Sequence, residues 1–500
     1  MARALMVQGT GSHVGKSVIV AALCRIFKRQ GLKVAPFKAQ NMALNSFITS
    51  EGGEIGRAQA YQAEAAGVAP SILMNPVLLK ANSDSGAQVI VKGRVVGNMG
   101  VREYHAYKER AFRAVEECYR ELSAVYDVIV IEGAGSPAEI NLRENDIVNM
   151  RTARMAGARV IIASDIDKGG AFASMVGTME LLTGWERDMV VGFIINKFRG
   201  DPSLLENGLD FIRKRTGRPV LGVIPYFTDI HVQEEDGAAL ADGPGISPAD
   251  DGAIDIAVLR LGHISNFTDF DPLASEPGVR LRYIRGVPDF GRPDLLIIPG
   301  TKNTIDDLLE IRASGVERAA LGFISSGGRA AGICGGYQML GMRISDPYGV
   351  ETDKGWVDGM GVLDVETTLH KDKVTAQVEA VCPGRPGLGR LKGYELHMGR
   401  SVLGEGARAL FTITRRGGEG SDSGDGAVSG DGKIWGTYIH GIFESDAFRR
   451  ALIGDIRPLP GAKDKRSLDY SALKEEGFER LADLVERSVD MGAVRSFLSV

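Results

Sequence analysis

Residues 4–17 read ALMVQGTGSHVGKS: an apolar run, a glycine-rich turn and a Gly-Lys-Ser triplet. Helical periodicity then runs from Lys16 to Gln30. Strand, glycine turn and helix in this order make a phosphate-binding loop. Backbone N–H groups and the helix N-terminus cradle the oxygens, a lysine neutralises the terminal phosphates, and the following hydroxyl holds Mg²⁺. The residues expected to bind ATP are Gly11, Gly15, Lys16 and Ser17. The usual pattern has a glycine where Thr10 stands, so a glycine-rich turn capped by a serine is the alternative reading.

Working outward, short β-branched runs alternate with longer helical stretches. Strands are expected at Ala4–Gln8, Lys33–Phe37, Asp127–Glu132, Arg159–Ser164, Met189–Asn196 and Pro219–Ile224. Helices are expected at Lys16–Gln30, Glu54–Gly67, Val101–Ser123, Ala171–Leu182 and Pro202–Thr216. Near-continuous apolar strands separated by helices imply a parallel sheet covered on both faces. A second series follows at Ile254–Leu259, Leu295–Pro299, Arg329–Ile333 and Ile434–Ile439. The fold class is therefore α/β, with two doubly wound, mostly parallel-sheet domains and a helical C-terminal tail. The expected boundaries are a nucleotide domain at 1–235, a linker at 236–252 (DGAALADGPGISPADDG), a second catalytic domain at 253–446 and a helical segment at 447–500. Residues 417–432, GGEGSDSGDGAVSGDG, read as a low-complexity loop.

Bulk properties narrow the function. Five hundred residues exceed one core, and a net charge of −5 does not suit a nucleic-acid binder. No apolar run reaches the ~20 residues that span a bilayer, and the N-terminus lacks a signal-peptide layout. Four scattered cysteines read as reduced thiols. A cytoplasmic enzyme acting on small molecules, with no nucleic-acid or membrane partner, is expected; a homo-oligomer is compatible with the sequence.

Further candidates lie at strand ends. Glu132 closes YDVIVIEGAG, where a second metal-side ligand belongs, and Asn196 in NKFRGD opens a loop suited to reading a base. Lys38, Gln40 and Asn41 follow the second strand, and Asp165 the fourth; each is a candidate for phosphate or substrate, as is Lys80 in MNPVLLK. Glu54, ahead of Gly56-Arg57-Ala58-Gln59, is a candidate metal ligand or an ordinary helix-start glutamate.

The second half carries AGICGGYQ, residues 331–338, in which a cysteine stands between an apolar strand and a helix. This is the nucleophile-elbow arrangement with Cys334 as nucleophile, its thiolate favoured by the helix N-terminus. The Gly335 N–H and the turn at Gly300 are expected to form the oxyanion hole. His440, in WGTYIHGIFE at a strand end, is the preferred base and His397 its competitor. Glu444 is the nearby acid that could orient His440. Cys24, Cys118 and Cys382 have no such context and read as buried structural thiols.

The N-terminal half resembles the dethiobiotin synthetase family, whose phosphate loop also carries threonine at that place. The C-terminal half resembles class I glutamine amidotransferase domains. Together, PFKAQNMALNS, GRAQAYQAEA, MNPVLLK, IEGAGSPAEINL, SDIDKGG, INKFRGD, GICGGYQMLG, GYELHMG and YIHGIFE are similar to the cobyric acid synthase family. The resemblance implies glutamine-dependent amidation of the b, d, e and g carboxylates of adenosylcobyrinic acid a,c-diamide, with ATP, Mg²⁺ and L-glutamine. It implies Cys334 as glutaminase nucleophile and His440 as its base. The usual acid two places after the histidine is Ile442 here, leaving Glu444, Glu395 or no residue in that role. The rivals are a cobyrinic acid a,c-diamide synthase and, in another class, a partition-type ATPase with a degenerate amidotransferase domain.

Overall fold

The computed structural model describes residues 2–83, 86–230, 233, 252–457 and 468–498. Two compact units emerge. The first comprises Met1–Ala43, Glu54–Glu235 and Lys474–Val500, and the second Leu44–Gly53 and Asp236–Leu473. These differ from the continuous boundaries expected in two places. Ten residues of the N-terminal half pack with the second unit, and the last helices return to the first. The linker expected at 236–252 lies, except for Gly252, outside the described residues.

The first unit is built on six parallel strands: β1 (Arg3–Gly9), β2 (Val34–Phe37), β3 (Val128–Glu132), β4 (Arg159–Asp165), β5 (Val190–Phe198) and β6 (Val220–Pro225). Their order is β6-β5-β4-β1-β3-β2, with β1 in the centre. Leu5, Met6 and Val7 are fully buried, as a strand covered on both faces requires. The expected strands agree with these to within two residues. The segment between the second and third strands does not follow expectation. Glu54–Gly56 is a short strand, and Gln40–Met42, Val77–Ser83, Gly86–Val91 and Arg94–Gly100 form a separate four-stranded sheet. Interspersed Lys, Asn, Ser and Gly conceal the alternation there.

The helix Tyr470–Ser488 buries Phe478, Leu481, Ala482 and Val485. Within the first unit, Phe478 packs on Tyr61 at 4.7 Å between ring centroids, and Arg25 pairs with Glu475 and Glu479. An antiparallel bridge, Gly222 to Val489, ties the chain's end to the edge strand.

In the second unit, β7 (Ile254–Leu259), β8 (Val279–Ile284), β9 (Leu295–Ile298) and β10 (Arg329–Ile333) are parallel. Ile434–Thr437 continues the sheet beside β10. A mixed sheet centred on the long antiparallel pair Val365–Val381 and Leu391–Leu403 stands beside it. The stretch expected as a loop at 417–432 is instead mostly strand: Phe411–Arg416 and Glu419–Asp425 form a hairpin. Gly417 and Gly418, at φ 59° and 88°, make the tight turn that paired glycines allow. The small polar residues after it gain their strand character from pairing with Phe411 and Ile413, which are fully buried. No helix among the described residues is long and apolar enough to cross a membrane.

Candidate active sites

Lys16, Ser17, Lys38, Glu132 and Asp165 stand at or just beyond the C-terminal ends of the parallel strands, the edge where ligands bind in such sheets, whereas Glu54 and Lys80 lie on strands outside that sheet. After β1 the loop turns into the helix Lys16–Arg29 through Gly15, at φ 97°, and no side chain caps that helix. A methyl group at Gly9 would stand 2.7 Å from Val14 Cγ2, and one at Gly15 only 2.1 Å from Asn196 Nδ2. Those two glycines are sterically required, whereas Gly11 has open space. Thr10, the odd residue of the motif, has its hydroxyl 3.0 Å from that of Ser164 at the end of β4. The threonine thus ties the loop to the neighbouring strand, which a glycine could not do.

Lys16 Nζ donates to the carbonyls of Gly11 (2.9 Å) and Gly135 (3.4 Å), curling back over the loop. Ser17 Oγ donates to Glu132 Oε1 at 2.9 Å, and Lys38 Nζ donates to the same oxygen at 2.8 Å. Gln62 Nε2 donates to Glu132 Oε2 at 2.5 Å. Serine, lysine and glutamine therefore form one largely buried network around Glu132. Gln62 was not singled out in the sequence; its signal is the helical spacing of Gln59 and Gln62 on the Arg57–Ala66 helix.

The remaining candidates fall into local pairs. Asn196 donates through Nδ2 to the Val14 carbonyl at 2.9 Å, so that amide holds the phosphate loop from beneath. Asp165 pairs with Lys197 at 2.9 Å. Glu54 and Lys80 form a buried ion pair at 2.8 Å, Asn41 donates to Gln59 at 3.0 Å, and Gln40 accepts from Tyr104. Among the described residues no group of three or more His, Cys, Asp or Glu could hold a metal by itself.

In the second unit Cys334 occupies the sharp turn between β10 and the helix Gly335–Leu340, at φ 52° and ψ −107°. Non-glycine residues rarely adopt positive φ, and such strain marks positions where the side chain must project. The turn is made possible by its neighbours. A methyl group at Gly336 would lie 1.9 Å from the Ile298 carbonyl oxygen, and one at Gly332 2.6 Å from that of Gly336. Gly335 abuts Thr301, and a methyl group at Gly300 would be 3.2 Å from His440 Cε1, so both expected oxyanion turns lie beside the elbow and its histidine.

His440 is the histidine that meets the thiol. The Cys334 thiol is among the groups that act on the protonation of its ring. The orienting acid is none of those expected: Asp269 Oδ2 lies 2.6 Å from His440 Nδ1, and its Oδ1 accepts from the Gly441 N–H at 3.1 Å. Asp269 sits on the short turn Phe267–Phe270 beyond β7. Glu395 is engaged by Arg416 through two bonds of 2.7 and 3.1 Å. His397 stacks on Tyr438 and its Nδ1 faces the Gly399 carbonyl at 2.7 Å. Burial disfavours an imidazolium at position 440, but the charge and hydrogen bond of Asp269, helped by Cys334, outweigh it and raise His440 to about 10. Cys334 Sγ also contacts the Leu396 carbonyl at 3.4 Å. Burial raises the other thiols, Cys24, Cys118 and Cys382, away from reactivity.

Comparison with known proteins matches this division. The CobQ/CobB/MinD/ParA nucleotide binding domain family matches residues 5–240, and the CobB/CobQ-like glutamine amidotransferase domain family matches residues 255–448. The chain is 48% identical over 516 residues to the cobyric acid synthase of Syntrophobacter fumaroxidans, covering 100% of this chain and 99% of that protein. It is 51% identical over 508 residues to that of Moorella thermoacetica, covering 100% and 98%. The chain belongs to the cobyric acid synthase family. A third member, from Pelotomaculum thermopropionicum, shares 50% identity over 511 residues. Within this family of enzymes the chain thus carries a nucleotide-binding domain and a glutamine amidotransferase domain side by side in sequence.

Proposed function

We propose that this chain converts adenosylcobyrinic acid a,c-diamide to adenosylcobyric acid, amidating the b, d, e and g carboxylates with glutamine nitrogen at the expense of ATP. The observation that carries the reading is the joint presence of a complete thiol–imidazole–carboxylate set and a phosphate loop in one chain. Full-length relatives named cobyric acid synthase favour it over the a,c-diamide synthase. The intact elbow at Cys334 and His440 speaks against a partition-type switch.

In the glutaminase half, Cys334 Sγ attacks the side-chain amide carbon of glutamine. Gly300 and Gly335 stand at the turns where the developing oxyanion is received. His440, held charged by Asp269, gives its proton to the departing ammonia. Water then hydrolyses the thioester, with His440 as base, and glutamate leaves.

In the other half a carboxylate is too poor an electrophile for ammonia, so it is first phosphorylated. Lys16 and the uncapped helix N-terminus neutralise the phosphates, and Lys38 stands where a transferring phosphoryl group or the substrate carboxylate is met. Ser17 and Glu132 offer the hard oxygen donors that Mg²⁺ prefers, and the phosphates must complete its shell. When bound, the ion neutralises charge on the transferring group. Ammonia displaces phosphate from the acyl phosphate, which forms the amide.

The test is Cys334→Ala. Glutamine-dependent amidation should vanish while amidation from ammonium salt persists. Parallel loss of both would refute the division of labour.

A further inference from the structure

The ten residues Leu44–Gly53 come between Gln40–Asn41 and Glu54 in the chain, yet they pack with the glutaminase unit. Asn45, Ser46, Ile48 and Thr49 are all but fully buried there. Asn45 Oδ1 accepts from the Phe267 N–H at 3.2 Å, and the Ser46 N–H donates to Asn266 Oδ1 at 3.0 Å. This reciprocal exchange pins the start of the Phe267–Phe270 turn, two residues before Asp269. Asn266, at φ 53°, also donates to the Tyr394 hydroxyl at 3.2 Å, and that hydroxyl donates to the Ser46 carbonyl at 3.1 Å. The Tyr394 ring lies nearly parallel to that of His440, 5.3 Å away. Phe47 meets Tyr394 edge-on at 5.3 Å, and Ile48 packs with Tyr394 and Leu396, whose carbonyl faces the Cys334 thiol. Residues 45–48 therefore touch the supports of all three catalytic groups.

We propose that residues 45–48 are positioning residues of the Cys334–His440–Asp269 site, with Asn45 as the principal one. The assignment rests on the glutaminase reading above. An asparagine four residues after Asn41, in the nucleotide half of the sequence, then governs glutamine hydrolysis and leaves amidation from free ammonia alone. Its own Nδ2 has no partner among the described residues, so the bond to the Phe267 N–H is the one its side chain contributes.

The test uses the full chain with Asn45→Ala and, separately, Asn266→Ala. Glutamate release should fall about tenfold or more in kcat with KM little changed, because a misplaced imidazole costs rate and not binding. The alkaline limb of the release profile should move to lower pH as the His440–Asp269 contact loosens. Ammonia-dependent amidation should stay within about twofold, which also shows that the variants fold. Unchanged release and pH profile in both variants would overturn the assignment. So would loss of the two activities in step, since that marks a structural role only. A parent protein that releases no glutamate removes the proposed function itself, and this assignment with it.

Discussion

Asp269 shows how much one carboxylate can set at a buried site. Without it, burial alone would strip His440 of its proton; with it, the ring stays charged to about 10. Glutamate release should accordingly fall only as pH rises past that value, when the proton for ammonia is lost. Asp269→Asn should lower the rate about a hundredfold and shift this limb to lower pH, as measured by glutamate release against pH. The acid was not legible because it stands 171 residues before its histidine, on a turn that Asp271 directly follows. Only the fold selects between them. Cys334 and Lys16, by contrast, were legible because each is fixed by its immediate neighbours, a glycine turn and the helix after it. In the first unit, Glu132→Gln should abolish ATP-dependent amidation and leave basal glutamate release intact, since the carboxylate organises Ser17, Lys38 and Gln62 and belongs to the other chemistry.

At the scale of elements, the parallel strands could be read directly because burial on both faces writes itself as unbroken apolar runs. The hairpin at Phe411–Asp425 could not, because its second strand is held by backbone pairing and a Gly-Gly turn, with little apolar alternation of its own. The elbow depends on close approach between the helix Gly335–Leu340 and β9. Gly336→Ala would press a methyl group onto the Ile298 carbonyl, and the backbone on both sides would have to yield. A loss of about 3 kcal/mol in unfolding free energy is expected from denaturant titration, together with loss of glutamate release.

Across the whole molecule, the two halves are not two consecutive pieces of chain. Leu44–Gly53 and the last helices each pack away from their neighbours in sequence, and neither excursion has a compositional signature. Stability also carries a pH signature from the second unit. Burial pushes the Glu351 carboxyl up to about 7, against the opposing pull of the Ile305 N–H and Lys302, and Asp425 up to about 6. A raised carboxyl binds its proton more tightly in the folded state, so its contribution is complete below the unfolded value and is lost as pH rises towards 7. Glu351→Gln should flatten the decline in unfolding midpoint between about pH 4.5 and 7, an effect of up to about 3 kcal/mol.

Glutamine nitrogen released at Cys334 is expected to reach four corrin carboxylates activated with ATP by the same chain. Incubation of adenosylcobyrinic acid a,c-diamide with ATP, Mg²⁺ and glutamine labelled in its amide nitrogen, followed by mass spectrometry of the corrinoid, tests it most directly. The expected product carries four labelled nitrogens, each amidation lowering the unlabelled mass by about one unit. A corrinoid left unlabelled, or an enzyme that labels cobyrinic acid twice and the diamide not at all, would contradict it.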